Sequence, residues 1–282
     1  MKLPVLELND KNKVPALGLD SGTAWFKGGG KGPFETELVD LLKVALNRGF
    51  LHIDCAESYG TEQEVGQAIK DSGLPREKIF VTSKVQDTIN DIPRPIDQTL
   101  KSLDLDYVDL YMIHWPYFAQ TDEDLQAAWA EMEKVQQSGK AKSIGVSNYL
   151  RPHLEATLKT ATVVPAVNQI EFHPYLQRAN DYVPWMPLVP VTVDRAGRLH
   201  EPLQEIAASH GGVSVGAVLL RWQMQQGVIP ITTSRHASRL EDYAQVTEFE
   251  LTSAEMETIT SIGLTPHFRA WLEARFAPDD RT

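Results

Sequence analysis

Short apolar runs alternate along the chain with longer stretches in which apolar residues recur every three or four positions. The short runs fit buried strands, and the longer stretches have the spacing of one helix face. Strands that alternate with helices are typical of βα units around a parallel sheet. Seven strands are predicted: Ala16–Leu19, Leu51–Asp54, Ile79–Lys84, Val108–His114, Ser143–Val146, Ala166–Ile170 and Val228–Thr232. The clearest helices are predicted over Glu35–Asn47 and Asp124–Gln137.

Two local signals refine this pattern near the start of the chain. Apolar runs at Pro4–Leu8 and Val14–Leu17 flank the turn-rich segment Asn9–Lys13, which predicts a hairpin before the first βα unit. Thr61 and Glu64 have the spacing of a capping box and predict the start of a helix that runs through Ile69.

The length favours one large α/β domain over residues 1–282. A chain of 282 residues with 42% hydrophobic content buries a sizeable core. No linker rich in serine, glycine or proline divides it, no internal repeat is visible, and the three glycines at 28–30 indicate a local loop.

Charge and cysteine content restrict the partners and the compartment. With 27 basic and 38 acidic residues the formal charge is −11, which disfavours nucleic acid as a partner. Cys55 is the single cysteine and predicts a reducing compartment. No run approaches the ~18 apolar residues of a membrane span, and Met1–Pro4 begins no signal peptide. We expect a cytoplasmic monomer or weak dimer that acts on a small molecule.

Four polar residues end or closely follow three of the predicted strands. They are Asp54, Tyr59, Lys84 and His114. A tyrosine is a weak acid with an ordinary pKa near ~10, so it donates a proton readily only where a cation such as Lys84 stabilises the phenolate. The segment Gly49–Asp54, followed in register by Ala56, Tyr59, Glu64 and Gly66, resembles the signature of the aldo-keto reductases.

The resemblance implies a (β/α)8 TIM barrel whose bottom is plugged by the N-terminal hairpin. The active site of this fold lies where the carboxyl ends of the strands meet the βα loops. By the resemblance, Tyr59 donates the proton, Lys84 and Asp54 form its supporting ion pair, and His114 polarises the substrate carbonyl. Pro266–Trp271 and the short loop after His114 are most similar to the fungal branch that reduces α-keto amides, keto esters and aldehydes. No metal site is predicted.

A nicotinamide dinucleotide is the expected cofactor. No Gly-x-Gly-x-x-Gly motif opens a βα unit, which disfavours a Rossmann site. The resemblance instead implies that the dinucleotide is held by three groups of residues: Gly22, Thr23 and Asp54; Ser147, Asn148 and Gln169 at the nicotinamide amide; and Thr233, Ser234, Arg235 and Arg239 at the adenosine phosphate. Relatives often carry lysine at Thr233, but the two arginines suit a phosphate and favour NADPH over NADH.

Aromatic residues are predicted to form the mouth of the substrate pocket. Trp25 and Trp115 follow strand ends directly. The full set comprises Trp25, Trp115, Tyr117 and Phe118, with Phe268 and Trp271 from the C-terminal tail.

One stretch departs from the family pattern. The resemblance requires a seventh barrel strand, and after Met186 the chain lacks about a dozen residues of relatives, including an aromatic residue that ends this strand. Three alternatives remain: Leu188–Val193 serves as a degraded strand, the barrel is open, or a segment has been lost from the coding sequence. The main hypothesis is an NADPH-dependent oxidoreductase acting on carbonyl or CH–OH groups. The rivals are a non-catalytic dinucleotide-binding barrel and an impaired reductase.

Overall fold

Eight strands pair in parallel and close into a barrel. The structure is a computed structural model that describes residues 3–28, 32–177, 183–185, 188, 197–265, 267–270, 275–277 and 280. The barrel strands, in the order in which they neighbour one another, are β3 (Gly18–Asp20), β4 (His52–Asp54), β5 (Phe80–Val85), β6 (Val108–Ile113), β7 (Ala141–Ser147), β8 (Asn168–Glu171), β9 (Val183–Trp185) and β10 (Ile231–Thr232), which pairs again with β3. The predicted barrel is confirmed.

An antiparallel hairpin covers the amino-terminal ends of the strands. It consists of β1 (Val5–Glu7) and β2 (Lys13–Pro15). Leu8 and Val14 from this hairpin are buried in one apolar cluster with residues of the barrel wall, among them Phe80 and Ile231. The hairpin therefore closes the bottom of the barrel and leaves the carboxyl ends of the strands for a site.

Helices pack around the barrel between the strands. Their bounds are α1 (Thr36–Arg48), α2 (Glu62–Ser72), α3 (Pro93–Leu103), α4 (Asp122–Gln137), α5 (Arg151–Leu158), α6 (His200–Ser209), α7 (Val215–Met224), α8 (Ala237–Ala244) and α9 (Ser253–Gly263). The two helices predicted by spacing are α1 and α4, each displaced by only one or two residues. In α1 the predicted apolar face is the buried one, which includes Leu38, Leu42 and Ala45.

The predicted capping box at the start of α2 is wrong. Thr61 is the residue before the helix, but its side chain accepts no capping hydrogen bond. Its hydroxyl lies 3.0 Å from that of Ser21. The Glu64 carboxylate instead forms a buried ion pair with Lys27 and accepts from the backbone N–H of Glu35. Both side chains are buried, and each has a tertiary partner in place of the local one.

The seventh position of the barrel holds a strand that is degraded, as expected, but that lies earlier than expected. β9 comprises Val183–Trp185, and the pairing of Trp185 with Ile231 closes the barrel. The alternative of an open barrel is therefore wrong. Leu188 lies in a turn, and residues 189–193 of the predicted strand lie outside the described residues. β9 is short because Pro184, opposite Ile170, lacks the N–H of a ladder residue.

Candidate active site

The four predicted catalytic residues meet at the carboxyl ends of β4, β5 and β6. Asp54 ends β4, and Tyr59 ends the 3-10 turn Glu57–Tyr59 that follows it. Lys84 is the fifth residue of β5, and His114 comes directly after β6. The rings of Tyr59 and His114 pack edge to face with 5.5 Å between their centroids.

The ammonium of Lys84 is buried and fully hydrogen-bonded. Nζ donates to Asp54 Oδ2 at 2.5 Å, to the Cys55 carbonyl oxygen at 3.1 Å and to the Tyr59 phenol oxygen at 3.3 Å. An ammonium has three donors and no acceptor, so these three bonds use all of them. The hydrogen of the Tyr59 hydroxyl must therefore point away from Lys84, toward a group in the barrel mouth.

Tyr59 is a neutral phenol in this site. Burial raises the pKa of Tyr59 well above its ordinary value, and the carboxylates of Asp20 and Asp54 add to the rise. The phenol is therefore neutral throughout the physiological range, and it loses its proton only to an acceptor on which negative charge develops.

His114 is a neutral imidazole, also because it is buried. Burial, and then the positive charge of Lys84, lower the pKa of His114 well below its ordinary value. Its Nδ1 lies 3.3 Å from the hydroxyl of Ser58. A serine hydroxyl that donates to Nδ1 fixes the tautomer that carries its hydrogen on Nε2. Sequence analysis missed Ser58, since nothing in its spacing indicated that it faces His114.

Two acidic residues that sequence analysis missed position the loops around Tyr59. Asp20, buried at the end of β3, accepts from the backbone N–H of Gly22 at 2.9 Å and of Thr23 at 2.7 Å. Burial, with a contribution from Asp54, raises the pKa of Asp20. Glu57 accepts from the backbone N–H of Gln86 at 2.9 Å and so ties the turn of Tyr59 to the loop after Lys84.

The three predicted amide-binding residues are brought together beside Asp54. Gln169 Nε2 donates to Asp54 Oδ1 at 3.0 Å, and Ser147 Oγ donates to the Gln169 carbonyl oxygen at 2.8 Å. Asn148 has a positive φ of 59° and donates from Nδ2 to the His114 carbonyl oxygen at 2.9 Å. Asn148 Nδ2 makes two hydrogen bonds within the protein and Gln169 Nε2 makes one, and the two amide oxygens are acceptors that suit the NH2 of a carboxamide.

Gly22 provides a close backbone approach next to this cluster. A Cβ at this position would lie 2.4 Å from Cδ2 of Tyr59, a distance that no side chain tolerates. The loop after β3 therefore lies directly against the Tyr59 ring. The amide oxygens and this glycine fit the nicotinamide end of a dinucleotide.

The loop after β10 carries the predicted phosphate ligands. Thr233 Oγ1 donates to the Asp20 carbonyl oxygen at 3.1 Å, and Ser234 forms a turn in which its Oγ accepts from His236 N at 2.9 Å. Arg235 and Arg239 are both exposed, so a phosphate group can approach their guanidinium groups. Arg235, however, donates from Nε to the Ala24 carbonyl oxygen at 2.7 Å, a partner that was not predicted.

The aromatic residues predicted to line the substrate pocket lie at three different places. Trp115 lies beside His114, with 6.4 Å between the ring centroids, and Tyr117 lies beside Trp115, with 6.2 Å between the ring centroids. Trp25 is buried, and its Nε1 donates to the Ser234 carbonyl oxygen at 3.1 Å. Phe118 packs against the main core.

The C-terminal candidates are placed only in part. Phe268 is half-buried and packs against a second apolar cluster beside α6 and α7. Trp271 lies outside the described residues. Among the residues that the structure describes, no group of three histidine, cysteine or acidic side chains has the arrangement of a metal site. Within the same residues, no helix combines the length and hydropathy that crossing a membrane requires.

Comparison with known proteins identifies the family. A sequence model of the aldo/keto reductase family matches residues 19–186 and 191–263. The chain is 37% identical over 282 residues to the NAD/NADP-dependent indole-3-acetaldehyde reductase of Schizosaccharomyces pombe, covering 95% of this chain and 98% of the relative. It is 37% identical over 281 residues to the NADPH-dependent alpha-keto amide reductase of Saccharomyces cerevisiae, covering 91% of this chain and 90% of the relative.

Comparison with solved structures identifies the same family. The aldo-keto reductase of Bombyx mori in complex with NADP superimposes with a TM-score of 0.81 at 28% identity, covering 93% of both chains. The aldose reductase of Schistosoma japonicum superimposes with a TM-score of 0.82 at 28% identity, covering 95% of this chain and 94% of the other. Sequence, barrel and strand-end residues agree, and the chain belongs to the aldo/keto reductase family.

Proposed function

We propose that the protein is an NADPH-dependent carbonyl reductase that converts aldehydes, α-keto esters and α-keto amides to alcohols. The observation that supports this best is the hydrogen bond from the buried ammonium of Lys84 to the phenol oxygen of Tyr59, at 3.3 Å. It directs the phenolic hydrogen toward the barrel mouth and places positive charge beside the oxygen that becomes negative as its proton leaves.

Tyr59 and His114 act together on the carbonyl oxygen of the substrate. With Ser58 donating to Nδ1 of His114, the hydrogen on Nε2 bonds to the carbonyl oxygen and polarises it. Tyr59 then donates its proton to the same oxygen, and Lys84 stabilises the phenolate until water restores the proton. Asp54 fixes the position of the Lys84 ammonium, because its Oδ2 accepts a hydrogen bond from Nζ at 2.5 Å.

The dinucleotide is held by the residues at the neighbouring strand ends. Bound NADPH supplies a hydride from its nicotinamide ring to the carbonyl carbon. Asn148 and Gln169 accept from the carboxamide NH2 beside Ser147, and Gly22 and Thr23 approach from the opposite side. Thr233, Ser234 and Arg239 lie at the phosphate end, where a guanidinium suits the 2′-phosphate that separates NADPH from NADH.

The names of two relatives support this substrate class. One is an indole-3-acetaldehyde reductase and the other an alpha-keto amide reductase, so one reduces an aldehyde and the other an activated ketone. Trp115 lies beside His114 and Tyr117 beside Trp115, and we propose that these two rings contact the aromatic or acyl part of such substrates.

Turnover of NADPH with a panel of carbonyl compounds tests the proposal. Purified protein should consume the absorbance of NADPH with an aryl aldehyde or an α-keto ester and should form the corresponding alcohol. No turnover across aldehydes, keto esters and keto amides would reject it.

The short β9 is the reason to consider two rival hypotheses, a non-catalytic dinucleotide-binding barrel and an impaired reductase, which the turnover experiment also tests. β9 and β10 are joined through the pairing of Trp185 with Ile231, and a barrel closed so weakly would hold its donor poorly. NADPH that binds without any carbonyl turnover would identify a non-catalytic dinucleotide-binding barrel. Failure to bind together with failure to melt cooperatively would identify an impaired reductase.

A further inference from the structure

Two loops from opposite ends of the chain are joined by side chains at the rim of the barrel. They are the loop after β3 and the loop after β10. Trp25 Nε1 donates to the Ser234 carbonyl oxygen at 3.1 Å, and Arg235 Nε donates to the Ala24 carbonyl oxygen at 2.7 Å. The two bonds run in opposite directions between the loops, and we call the pair Trp25 and Arg235, with their two acceptors, the clasp.

The two side chains of the clasp also contact each other. The guanidinium of Arg235 lies over the ring of Trp25, with 4.8 Å from Cζ to the ring centroid. Trp25 is buried with 5% of its surface exposed, and it forms a rigid platform for the exposed arginine. A cation over an indole and a charge-assisted hydrogen bond fix the plane of the guanidinium from two directions.

These contacts separate Arg235 from Arg239. The protein itself fixes Nε and one face of the Arg235 guanidinium, so the side chain is oriented toward the loop after β3. Arg239 is the third residue of α8 and is exposed. It takes part neither in the hydrogen bonds of the clasp nor in its ring contact. Arg239 hydrogen-bonds to the Tyr243 side chain one turn further along α8, so its orientation is set within the helix and not between the two loops.

We propose that the clasp holds the two loops in the conformation that binds the dinucleotide, whereas Arg239 recognises its 2′-phosphate. The inference rests on the proposed function and deepens it. It also gives Trp25 a role in retaining the cofactor, not in lining the substrate pocket. Loops that are already joined lose less conformational freedom when a ligand orders them, so the clasp raises affinity without touching the phosphate.

The two roles differ in how they affect NADPH and NADH. A contact to the 2′-phosphate strengthens binding of NADPH alone, because NADH lacks that group. A clasp that orders both loops strengthens binding of both dinucleotides by the same factor. The ratio of the two dissociation constants therefore distinguishes a phosphate ligand from a clasp residue.

Calorimetric titration of three variants tests this distinction. Arg235→Gln and Trp25→Phe should each raise the Kd for NADPH and for NADH by about tenfold, with an unchanged ratio. Arg235→Lys keeps the charge but not the planar group, and it should fail to restore affinity. The matched control Arg239→Gln should raise the Kd for NADPH by about tenfold and leave that for NADH within about twofold.

Selective loss of NADPH binding in Arg235→Gln, or unchanged Kd values for both dinucleotides, would overturn the clasp and leave the proposed function standing. Failure of the unaltered protein to bind either dinucleotide would overturn both. Thermal melting of each free variant provides the folding control. Should Trp25→Phe fail to melt cooperatively, the exposed Arg235→Gln decides the outcome.

Discussion

The barrel differs sharply between the side that carries the proposed proton donor and the side where the barrel closes. β5 and β6 are six residues long, and every residue in both is buried. β9 has three residues and β10 has two. Lys84 lies on the long β5, and its partner Asp54 ends β4, which is short but fully buried. The loop of the proposed phosphate ligands follows the shortest strand, β10. Long or buried strands position the ion pair, and side chains such as Trp25 join the loops on the other side.

Loss of the lysine should have the largest effect on the proton-donor side. Lys84→Met leaves the Asp54 carboxylate buried without its cation, and we expect a loss of about 3–5 kcal/mol in the free energy of unfolding. The double variant Asp54→Asn/Lys84→Met removes both charges and should recover most of that loss. Urea denaturation measures both, and equal stabilities for the single and double variants would contradict a buried ion pair at this place.

Hydrogen exchange should reveal the contrast directly. Amides in β5 and β6, such as those of Val81 and Met112, should exchange only through global unfolding. The amides of Ile231 and Thr232 in β10 should exchange about a hundredfold faster, through local opening of the β9 side. Equal protection on both sides would show that the short strands close the barrel as firmly as the long ones.

Removing the hydroxyl next to His114 should have a moderate effect on rate. Ser58→Ala loses one hydrogen bond to Nδ1, so kcat should fall about fivefold to tenfold while the Kd for the dinucleotide stays unchanged. Nitrogen chemical shifts of the His114 ring should show the hydrogen on Nε2 in the parent protein and a mixture of tautomers in the variant. Ser58→Thr, which keeps a hydroxyl, should restore the rate; a parent protein with its hydrogen on Nδ1 would refute the assignment.

The smallest effect should be that of pH. Tyr59 is active when protonated, so the rate falls only as pH rises through its raised pKa. His114 is active when neutral, so the rate falls only as pH drops through its lowered pKa. Between pH 6 and 9 the rate of hydride transfer in a single turnover should change by less than about threefold. A change in rate centred near pH 7 would show that the pKa of Tyr59 is not raised, or that the pKa of His114 is not lowered, as described.

The residues that sequence could predict are those whose position follows from the strands. Asp54, Lys84 and His114 lie at strand ends, and parallel strands bring their carboxyl ends to one rim. Ser58 could not be predicted, because the direction of a side chain within a short turn depends on the tertiary fold. The hydrogen bond from Trp25 to Ser234 could not be predicted either, because the two residues are 209 positions apart in sequence.

The seventh strand shows a further limit of prediction. Val183–Trp185 contains a proline and is too short for a periodic pattern, so the sequence leaves three alternatives: a strand at Leu188–Val193, an open barrel or a lost segment. The closure of the barrel determines where this strand forms. A short extended segment between β8 and β10 pairs with the backbone groups that both strands would otherwise leave unpaired. Backbone pairing here overrides local preference.

A single-turnover measurement on Tyr59→Phe tests the central claim that this side of the barrel donates the proton. The ring and its packing against Gly22 remain, and only the hydroxyl beside Lys84 is lost. With NADPH saturating and an aryl aldehyde as substrate, we expect the Kd for NADPH to stay within about twofold and the rate of its oxidation to fall about a thousandfold. Oxidation at an undiminished rate would contradict Tyr59 as the proton donor.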